Sequence, residues 1–173
     1  MGLATFIGGI HPYEGKELSE DKPIKYLEPL QGEVMVYPLS QHIGAPAKPL
    51  VAKGDHVLKG QIIAEAGGFI SANVLSSVSG TVKGIESKLV ANGAMVQSIL
   101  VENDGEEEAI EGFGTDRDAS KLSKEEIRQI VKDAGIVGLG GAGFPTHVKL
   151  TPKDENAIDY VIVNGAECEP YLT

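Results

Sequence analysis

The sequence predicts an α+β fold in two parts, in which an all-β module is followed by the start of an α/β domain. Between residues 32 and 103, β-branched side chains alternate with Gly, Pro, Asn and Ser, which is typical of short strands joined by tight turns. An amphipathic helix signal follows this stretch. The helix leads into a glycine-rich loop, and the apolar run 157–163 beyond it is typical of a buried parallel strand.

Composition narrows the classes of function. The chain has 173 residues, 22 glycines, no Trp and a formal net charge of −10. This charge argues against non-specific binding to nucleic acid or to an anionic membrane surface. We expect no signal peptide and no direct membrane span, because no apolar run is long enough. A single cysteine excludes an internal disulfide framework and a four-cysteine cluster within this chain, and it favours a reducing compartment.

Residues 1–31 are interpreted as an irregular N-terminal arm. The stretch Gly8-Gly9-Ile10-His11-Pro12 and the polar run that follows predict an extended segment with turns. His11 has no second metal-binding residue close in sequence, so we interpret it as exposed or packed in a turn. We predict no metal site in this chain.

Residues 32–103 contain an internal repeat. Val51-Ala-Lys-Gly54-Asp-His-Val57 recurs as Val90-Ala-Asn-Gly93-Ala-Met-Val96, and each copy precedes a strand-like run. Each copy therefore predicts a glycine-centred turn followed by a strand, within two similar units that share one core.

This stretch resembles the biotinyl/lipoyl domain, a barrel-sandwich hybrid with two quasi-equivalent halves. The segments "VAKGDHVLKGQIIAE", "SSVSGTVKGI" and "VANGAMV" carry the resemblance. Carrier domains present a modifiable lysine on the hairpin between the halves. The corresponding stretch here, 65–73, holds no lysine. We therefore expect a scaffold or docking surface and not a swinging-arm carrier.

Residues 104–118 are rich in Glu, Asp and Gly and predict a mobile, solvated linker. The third part, residues 119–173, begins with a helix that has Ser123 as its N-cap. Glu126, three residues on, completes a capping box. Gly135 is expected at the C′ position of this helix.

The glycine loop contains Gly138, Gly140, Gly141, Ala142 and Gly143, and Phe144 and Pro145 follow it. Backbone amides without Cβ atoms, placed before a helix over about 145–150, are suited to binding phosphate, and Lys149 adds a positive charge. A lone G-x-G-x-x-G is a weak signal, and the lysine of a P-loop is absent. Spacing alone leaves both phosphate or nucleotide binding and a close-packed structural turn open.

The apolar run 157–163 is followed by Asn164, Glu167 and Glu169. Loops beyond the carboxyl end of a parallel strand commonly bind ligands, so these side chains are candidates for ribose hydroxyls, a flavin edge or a cation. An exposed acidic loop is the alternative. Cys168 lies between two carboxylates that disfavour its thiolate, and His147 is expected to be exposed, so we predict no catalytic residue.

The motifs G-x-G-G-A-G-F-P-T-x-x-K and N-x-x-E-x-E-P together resemble the flavin- and NADH-binding 51 kDa subunit of respiratory complex I and its relatives. With the "GGIHP" arm, the lysine-free barrel and "VNGAECEPYLT", the chain looks like the N-terminal part of the RnfC component of the Rnf electron-transport complex. The resemblance implies that NADH reduces a bound FMN, which passes electrons to 4Fe-4S clusters in a part of the protein beyond this chain.

The resemblance also implies roles for individual residues. The loop of Gly138, Gly140, Gly141, Ala142 and Gly143 would lie against FMN and NADH, Phe144 would stack on NADH, and Lys149 would approach the flavin. Asn164, Glu167 and Glu169 would contact the flavin and a ribose. Leu139 and Ala166 depart from the arginine and aspartate of complex I relatives.

The family context implies a peripheral subunit on the cytoplasmic side of a bacterial membrane. Its partners would be the other subunits of an ion-translocating complex, with ferredoxin reached indirectly. The alternative from another class is a non-catalytic docking module for partner subunits.

Overall fold

The computed structural model describes residues 13, 15–23, 25–139 and 141–163. These residues divide into two units, one formed by Glu28–Glu155 and the other by the described parts of Met1–Leu27 and Asn156–Thr173. In the smaller unit the described part of the arm contains a 3₁₀ turn over Lys16–Leu18. The larger unit carries all of the described strands and α-helices.

The larger unit begins with two antiparallel sheets. Their strands are β1 (Val34–Pro38), β2 (Lys48–Pro49), β3 (His56–Val57), β4 (Ile62–Glu65), β5 (Val74–Leu75), β6 (Gly80–Leu89) and β7 (Met95–Asn103). One sheet has the order β1-β7-β6-β3 and the other has the order β2-β4-β5. The long β6–β7 hairpin runs from the pair Gly80 and Asn103 to the pair Leu89 and Met95. This arrangement confirms the predicted all-β module.

The core lies between the two sheets and consists mainly of aliphatic side chains, in keeping with strands that bury one face. Its buried members are Tyr37, Leu39, Ala47, Val57, Ile63, Ala64, Val74, Val78, Val82, Ile99 and Val101. The repeated turns are also confirmed. Gly54 and Gly93 adopt φ values of +96° and +82°, and a strand follows each turn. Glycine reaches this region of φ without the penalty that a Cβ brings.

The lysine-free hairpin connects β4 to β5 through residues 66–73, as the resemblance to carrier domains implied. It is bonded to its own chain. Ser71 Oγ donates to the Ala45 carbonyl at 2.7 Å, and Ala45 N donates to the Ile70 carbonyl at 3.0 Å. Gly67 N donates to Ser71 Oγ at 2.9 Å. These bonds hold the hairpin against the segment that connects β1 to β2.

The prediction of a mobile linker is wrong for the first half of residues 104–118. Lys59 N donates to the Glu108 carbonyl at 2.8 Å, and Ile110 N donates to the Lys59 carbonyl at 3.1 Å. Phe113 lies with its ring centroid 5.9 Å from Lys59 Nζ. Side chains in the acidic stretch remain exposed, but its backbone is fastened to the barrel because Lys59 supplies both a donor and an acceptor.

Helix α1 (Lys124–Asp133) confirms the predicted capping box. Ser123 Oγ accepts from Glu126 N, and the Glu126 carboxylate accepts from Ser123 N at 2.8 Å. Gly135, at φ +63°, ends the helix in the left-handed conformation. A one-turn helix, α2 (Thr146–Lys149), follows the glycine loop. Within the part of the chain that is described, no helix has the length and apolarity needed to cross a membrane.

The predicted buried strand over residues 157–163 is wrong. Ala157 ends a 3₁₀ turn that begins at Glu155, and Ile158–Val163 forms no strand. The side chains of Val161, Ile162 and Val163 are 86–89% exposed. A strand obtains its hydrogen bonds from neighbouring strands, and among the described residues no strand lies beside this segment. The apolar pattern alone could not reveal that.

Candidate functional site

The glycine loop is closed at its base by backbone hydrogen bonds. Gly138 N donates to the Phe144 carbonyl at 3.1 Å, and Thr146 N donates to the Ile136 carbonyl at 2.9 Å. Val137 and Pro145 form an antiparallel bridge between the two arms of the loop. The loop is therefore a defined turn that projects from a short two-armed stem.

The start of α2 differs from the sequence-based expectation. Pro145 is the N-cap and not the first helical residue, and Thr146 N is already bonded to the Ile136 carbonyl. A helix of four residues also has only a small dipole. Any anion-binding amides at this site therefore belong to the glycine loop and not to the N-terminus of the helix.

Gly143 fastens the loop to the barrel. Its carbonyl accepts from Ile43 N at 3.2 Å, and its φ of +66° is left-handed. A Cβ added there would lie 3.4 Å from both the Gln41 carbonyl oxygen and His42 Cα. Both the backbone conformation and the close approach of the β1–β2 segment therefore require glycine at this position.

Gly141 has a different environment. Among the described residues, no atom lies within 4 Å of a Cβ added at Gly141, and its φ is outside the left-handed region. Within the same residues, no hydrogen bond is made by the N–H groups of Gly141 or Ala142. The fold of the described chain therefore gives no reason for glycine at position 141. A bare backbone here leaves space for another molecule to approach.

A cavity of about 610 Å³ opens beside the loop. One wall is the loop itself, from Gly138 to Gly143, and includes the side chain of Leu139, which is 94% exposed. The opposite wall comes from the barrel, through Ser40–Ile43 after β1 and Val90–Asn92 at the β6–β7 turn. The volume falls within the range of small-molecule sites, which is about 300–1,000 Å³.

Hydrogen bonds fix the barrel wall. His42 Nε2 accepts from Ala72 N at 3.2 Å, which leaves Nδ1 as the donor to the Ile43 carbonyl at 3.2 Å. Asn92 Oδ1 accepts from Ala94 N at 2.9 Å and so shapes the turn. In contrast, the Ser40 hydroxyl and the Gln41 side-chain amide form no hydrogen bond within the described part of the chain.

Lys149 lies close to the base of the loop. A Cβ added at Gly138 would lie 3.7 Å from Lys149 Nζ and 3.6 Å from Phe144 N. The ammonium group therefore provides a positive charge next to the amides of the loop. Phe144 is half-buried, and neither it nor Lys149 lines the cavity.

His147, expected to be exposed, is half-buried in α2. Burial lowers the pKa of its imidazole, and the nearby positive charge of Lys132 lowers it further. Both effects favour the neutral ring. Among the described residues, no group of three or more His, Cys, Asp or Glu side chains is arranged to hold a metal ion.

The structure brings four of the predicted site residues to the cavity: Gly138, Gly141, Ala142 and Gly143. Gly140, Asn164, Glu167 and Glu169 lie outside the described residues, as do His11 and Cys168. Sequence reasoning missed Ser40, Gln41 and Asn92 on the barrel wall. The only sequence signal for them was the Asn92-Gly93 turn within the repeat, which predicts a turn and not its neighbour in space.

Comparison with known families identifies two matches. The RnfC barrel sandwich hybrid domain matches residues 4–106, and the Nuo51 FMN-binding domain matches residues 131–173. The second match contains the whole glycine loop.

Individual relatives match along almost the entire chain. The RnfC-type component of the proton-translocating ferredoxin:NAD(+) oxidoreductase complex of Clostridium ljungdahlii is 47% identical over 171 residues, which is 99% of this chain and 37% of the relative. Its counterpart in the Na(+)-translocating complex of Acetobacterium woodii is 45% identical over 98% of this chain and 38% of the relative. The counterpart in the ion-translocating oxidoreductase complex of Pseudomonas aeruginosa is 42% identical over 99% of this chain and 22% of the relative. The chain therefore spans less than two fifths of the length of these relatives.

Proposed function

The chain belongs to the RnfC family, and from this premise we propose that it is the N-terminal part of an electron-transport subunit that oxidises NADH through FMN. The proposal places the protein at the periphery of an ion-translocating membrane complex, on the cytoplasmic side, among partner subunits. Ferredoxin is its indirect electron partner. The names of the relatives, which are subunits of ferredoxin:NAD(+) oxidoreductase complexes, support this assignment.

The observation that carries the proposal is the open face of the glycine loop. Gly141 has neither a neighbour nor a backbone conformation that demands glycine, and the amides of Gly141 and Ala142 have no partner in the described chain. Such a surface can lie flat against a planar ring and donate N–H bonds to phosphate or carbonyl oxygens. The match to the Nuo51 FMN-binding domain covers this loop.

The residues present fit FMN in charge and in shape. The loop borders a cavity of about 610 Å³, and Lys149 supplies a cation at the base of the loop to attract a phosphate. We assign to Phe144 a stacking role towards NADH, and to Asn164, Glu167 and Glu169 contacts with the flavin and a ribose. When bound, FMN supplies the conversion between two-electron and one-electron transfer. The chain's own residues bind and orient, since hydride transfer depends chiefly on position.

Iron–sulfur clusters complete the proposed electron path and are assigned to the protein beyond this chain. The chain contains one cysteine, whereas a cluster is commonly held by four. We also propose a division of the chain into an arm (1–31), a barrel (32–103), an acidic linker (104–118) and the start of the nucleotide-binding domain (119–173).

The test compares FMN binding by the full-length protein and its Gly141→Ala variant. The added methyl group meets no atom of the described chain, so we expect unchanged thermal unfolding without flavin. If the ring lies against the loop, FMN affinity measured by quenching of flavin fluorescence should fall about tenfold, equivalent to about 1.4 kcal/mol. NADH should bleach the flavin absorbance of the wild-type protein under anaerobic conditions.

Gly68→Ala is the matched control, because a Cβ at Gly68 meets only Ala45 Cβ at 3.4 Å and the residue lies outside the cavity lining. It should bind FMN as the wild type does. The proposal fails if the full-length protein binds no FMN, or if Gly141→Ala binds FMN as tightly as the control.

A docking module for partner subunits is the second candidate function. The observation that favours it is the β4–β5 hairpin, which carries no lysine and is bonded to the β1–β2 segment through Ser71 and Ala45. A hairpin fixed in this way supports a rigid contact surface and not a mobile arm. Failure of the full-length protein to bind FMN would leave docking as the preferred function.

A further inference from the structure

We propose that the barrel is part of the nucleotide site, and that Gln41 and Asn92 on its wall recognise the adenosine half of NADH. The inference rests on the proposed function and extends it. The barrel would then be a specificity-determining element of the site in addition to a scaffold.

The first argument is juxtaposition. The glycine loop and the barrel wall belong to the same unit of the fold and border one cavity. The bond from Ile43 N to the Gly143 carbonyl, at 3.2 Å, joins the walls directly. The 3.4 Å approach of the Gln41 carbonyl oxygen to a Cβ position at Gly143 shows how closely they meet. A ligand lying on the loop therefore faces the barrel.

The second argument is the chemistry of the barrel wall. Its polar side chains are Ser40, Gln41, His42 and Asn92, and it carries no Asp, Glu, Lys or Arg. The His42 ring is occupied by Ala72 N and the Ile43 carbonyl. This leaves a hydroxyl and two carboxamides, of which Asn92 retains its Nδ2 donors while Oδ1 holds the turn. Uncharged groups of this kind suit an uncharged ligand moiety.

The third argument is the division of labour across the cavity. Phosphates are better placed at the glycine loop, where free amides and the Lys149 ammonium are found. Opposite the loop, carboxamides offer donors and acceptors together, which match the N6 donor and N7 acceptor of adenine and the hydroxyls of ribose. The apolar neighbours Ile43 and Val90 add surface against which a base can pack. The wall therefore fits an adenosine group.

The test uses two substrates that differ only in the adenylate half, NADH and reduced nicotinamide mononucleotide. The full-length protein is compared with Gln41→Ala and Asn92→Ser, where serine retains an oxygen that can hold the turn. We expect kcat/KM for NADH to fall about five- to tenfold in each variant, the effect of one lost hydrogen bond. The value for the mononucleotide and the FMN content should stay unchanged.

Gln97→Ala is the matched control, because Gln97 is an exposed glutamine on β7 outside the cavity lining. It should oxidise both substrates as the wild type does. The inference is overturned if Gln41→Ala and Asn92→Ser affect both substrates equally, affect neither, or lose FMN.

Calorimetry with ADP-ribose separates this inference from the proposed function, because it needs no flavin. ADP-ribose affinity should fall about five- to tenfold in Gln41→Ala and not in Gln97→Ala. This result in a protein that binds no FMN would overturn the proposed function and leave the adenosine site standing. Normal NADH oxidation with unchanged ADP-ribose affinity in Gln41→Ala would overturn the adenosine site alone.

Discussion

The sheet of the barrel and the segment Ile158–Val163 are built from the same kinds of residue and have opposite environments. Val82, Ile99 and Val101 are completely buried, whereas Val161, Ile162 and Val163 are 86–89% exposed. Strand β7 pairs with β1 on one side and with β6 on the other. Among the described residues, the exposed segment has no strand beside it. A β-branched run therefore indicates a strand only where the chain also supplies partners for its backbone.

Helix α1 sharpens this comparison. None of its residues is fully buried, yet it retains ten helical residues. Its hydrogen bonds join residues four apart, so the segment supplies its own partners. Local bonding and the capping box are enough to define the helix, whereas a strand depends on distant residues.

The largest effect is expected from truncating the same residue type in the two β-branched environments. Ile99→Ala should lower the free energy of unfolding of this chain by about 3 kcal/mol, because it removes a completely buried side chain from the core. Ile162→Ala should change it by about 0.5 kcal/mol or less, since the side chain is exposed. Urea unfolding followed by circular dichroism measures both changes.

The two variants are each other's control, because the same atoms are removed. A cost above about 2 kcal/mol for Ile162→Ala would show that the segment is packed in this chain, contrary to the exposure described. A small cost for Ile99→Ala would contradict the position of the barrel core. In either case the contrast between the two regions would be lost.

The next effect concerns Asp104, at the point where the acidic segment leaves the barrel. Its carboxylate accepts from Ser79 Oγ at 2.6 Å and from Glu106 N at 2.9 Å, and His56 Nε2 lies 2.9 Å from it. These contacts, led by the Ser79 bond, lower the pKa of Asp104 to about 2. The ionised form is therefore favoured in the folded state, and its contribution is present above pH about 4.

This contribution should disappear as the pH falls from about 4 to about 2, through the folded-state pKa. Asp104→Asn should cost about 1–2 kcal/mol at neutral pH, allowing for screening of a side chain that is 27% exposed. The cost should shrink towards pH 2. Asp116→Asn removes an exposed charge from the same segment and is the control. A cost for Asp104→Asn that did not vary with pH would contradict the electrostatic explanation.

Local and repeated features of this chain were predictable from its sequence. The capping box of Ser123 and Glu126 needs only residues three apart, and the structure confirms it. The turns at Gly54 and Gly93 were recognisable because the repeat presents the same glycine twice. The lysine-free hairpin followed from the resemblance to carrier domains. These features depend on short-range chemistry or on a repeated pattern.

Features that depend on distant partners were not predictable. The acidic segment looks solvated by composition, and its backbone bonds to Lys59 cannot be inferred from the charges. The glycine loop was recognised, but its opposite wall comes from Gln41 and Asn92, which precede the loop by many residues. Only the folded chain shows that these residues face one cavity.

The smallest effect tests the claim that α1 is held locally. Ser123→Ala should lower the free energy of unfolding by about 1 kcal/mol, because the Glu126 N–H loses its side-chain acceptor. Ser123→Asp should retain most of the stability, since aspartate also accepts at an N-cap and its charge is favourable at a helix N-terminus. Far-ultraviolet circular dichroism and urea unfolding provide the measurements.

Ser87→Ala, on the exposed part of β6, is the control for loss of a serine hydroxyl and should leave stability unchanged. If Ser123→Ala matched this control, or if Ser123→Asp were as unstable as Ser123→Ala, the cap would contribute little and α1 would depend on packing instead. Helix and strand would then depend alike on tertiary partners. A cost specific to Ser123→Ala would show that the helix obtains part of its stability from its own sequence, which an isolated strand cannot do.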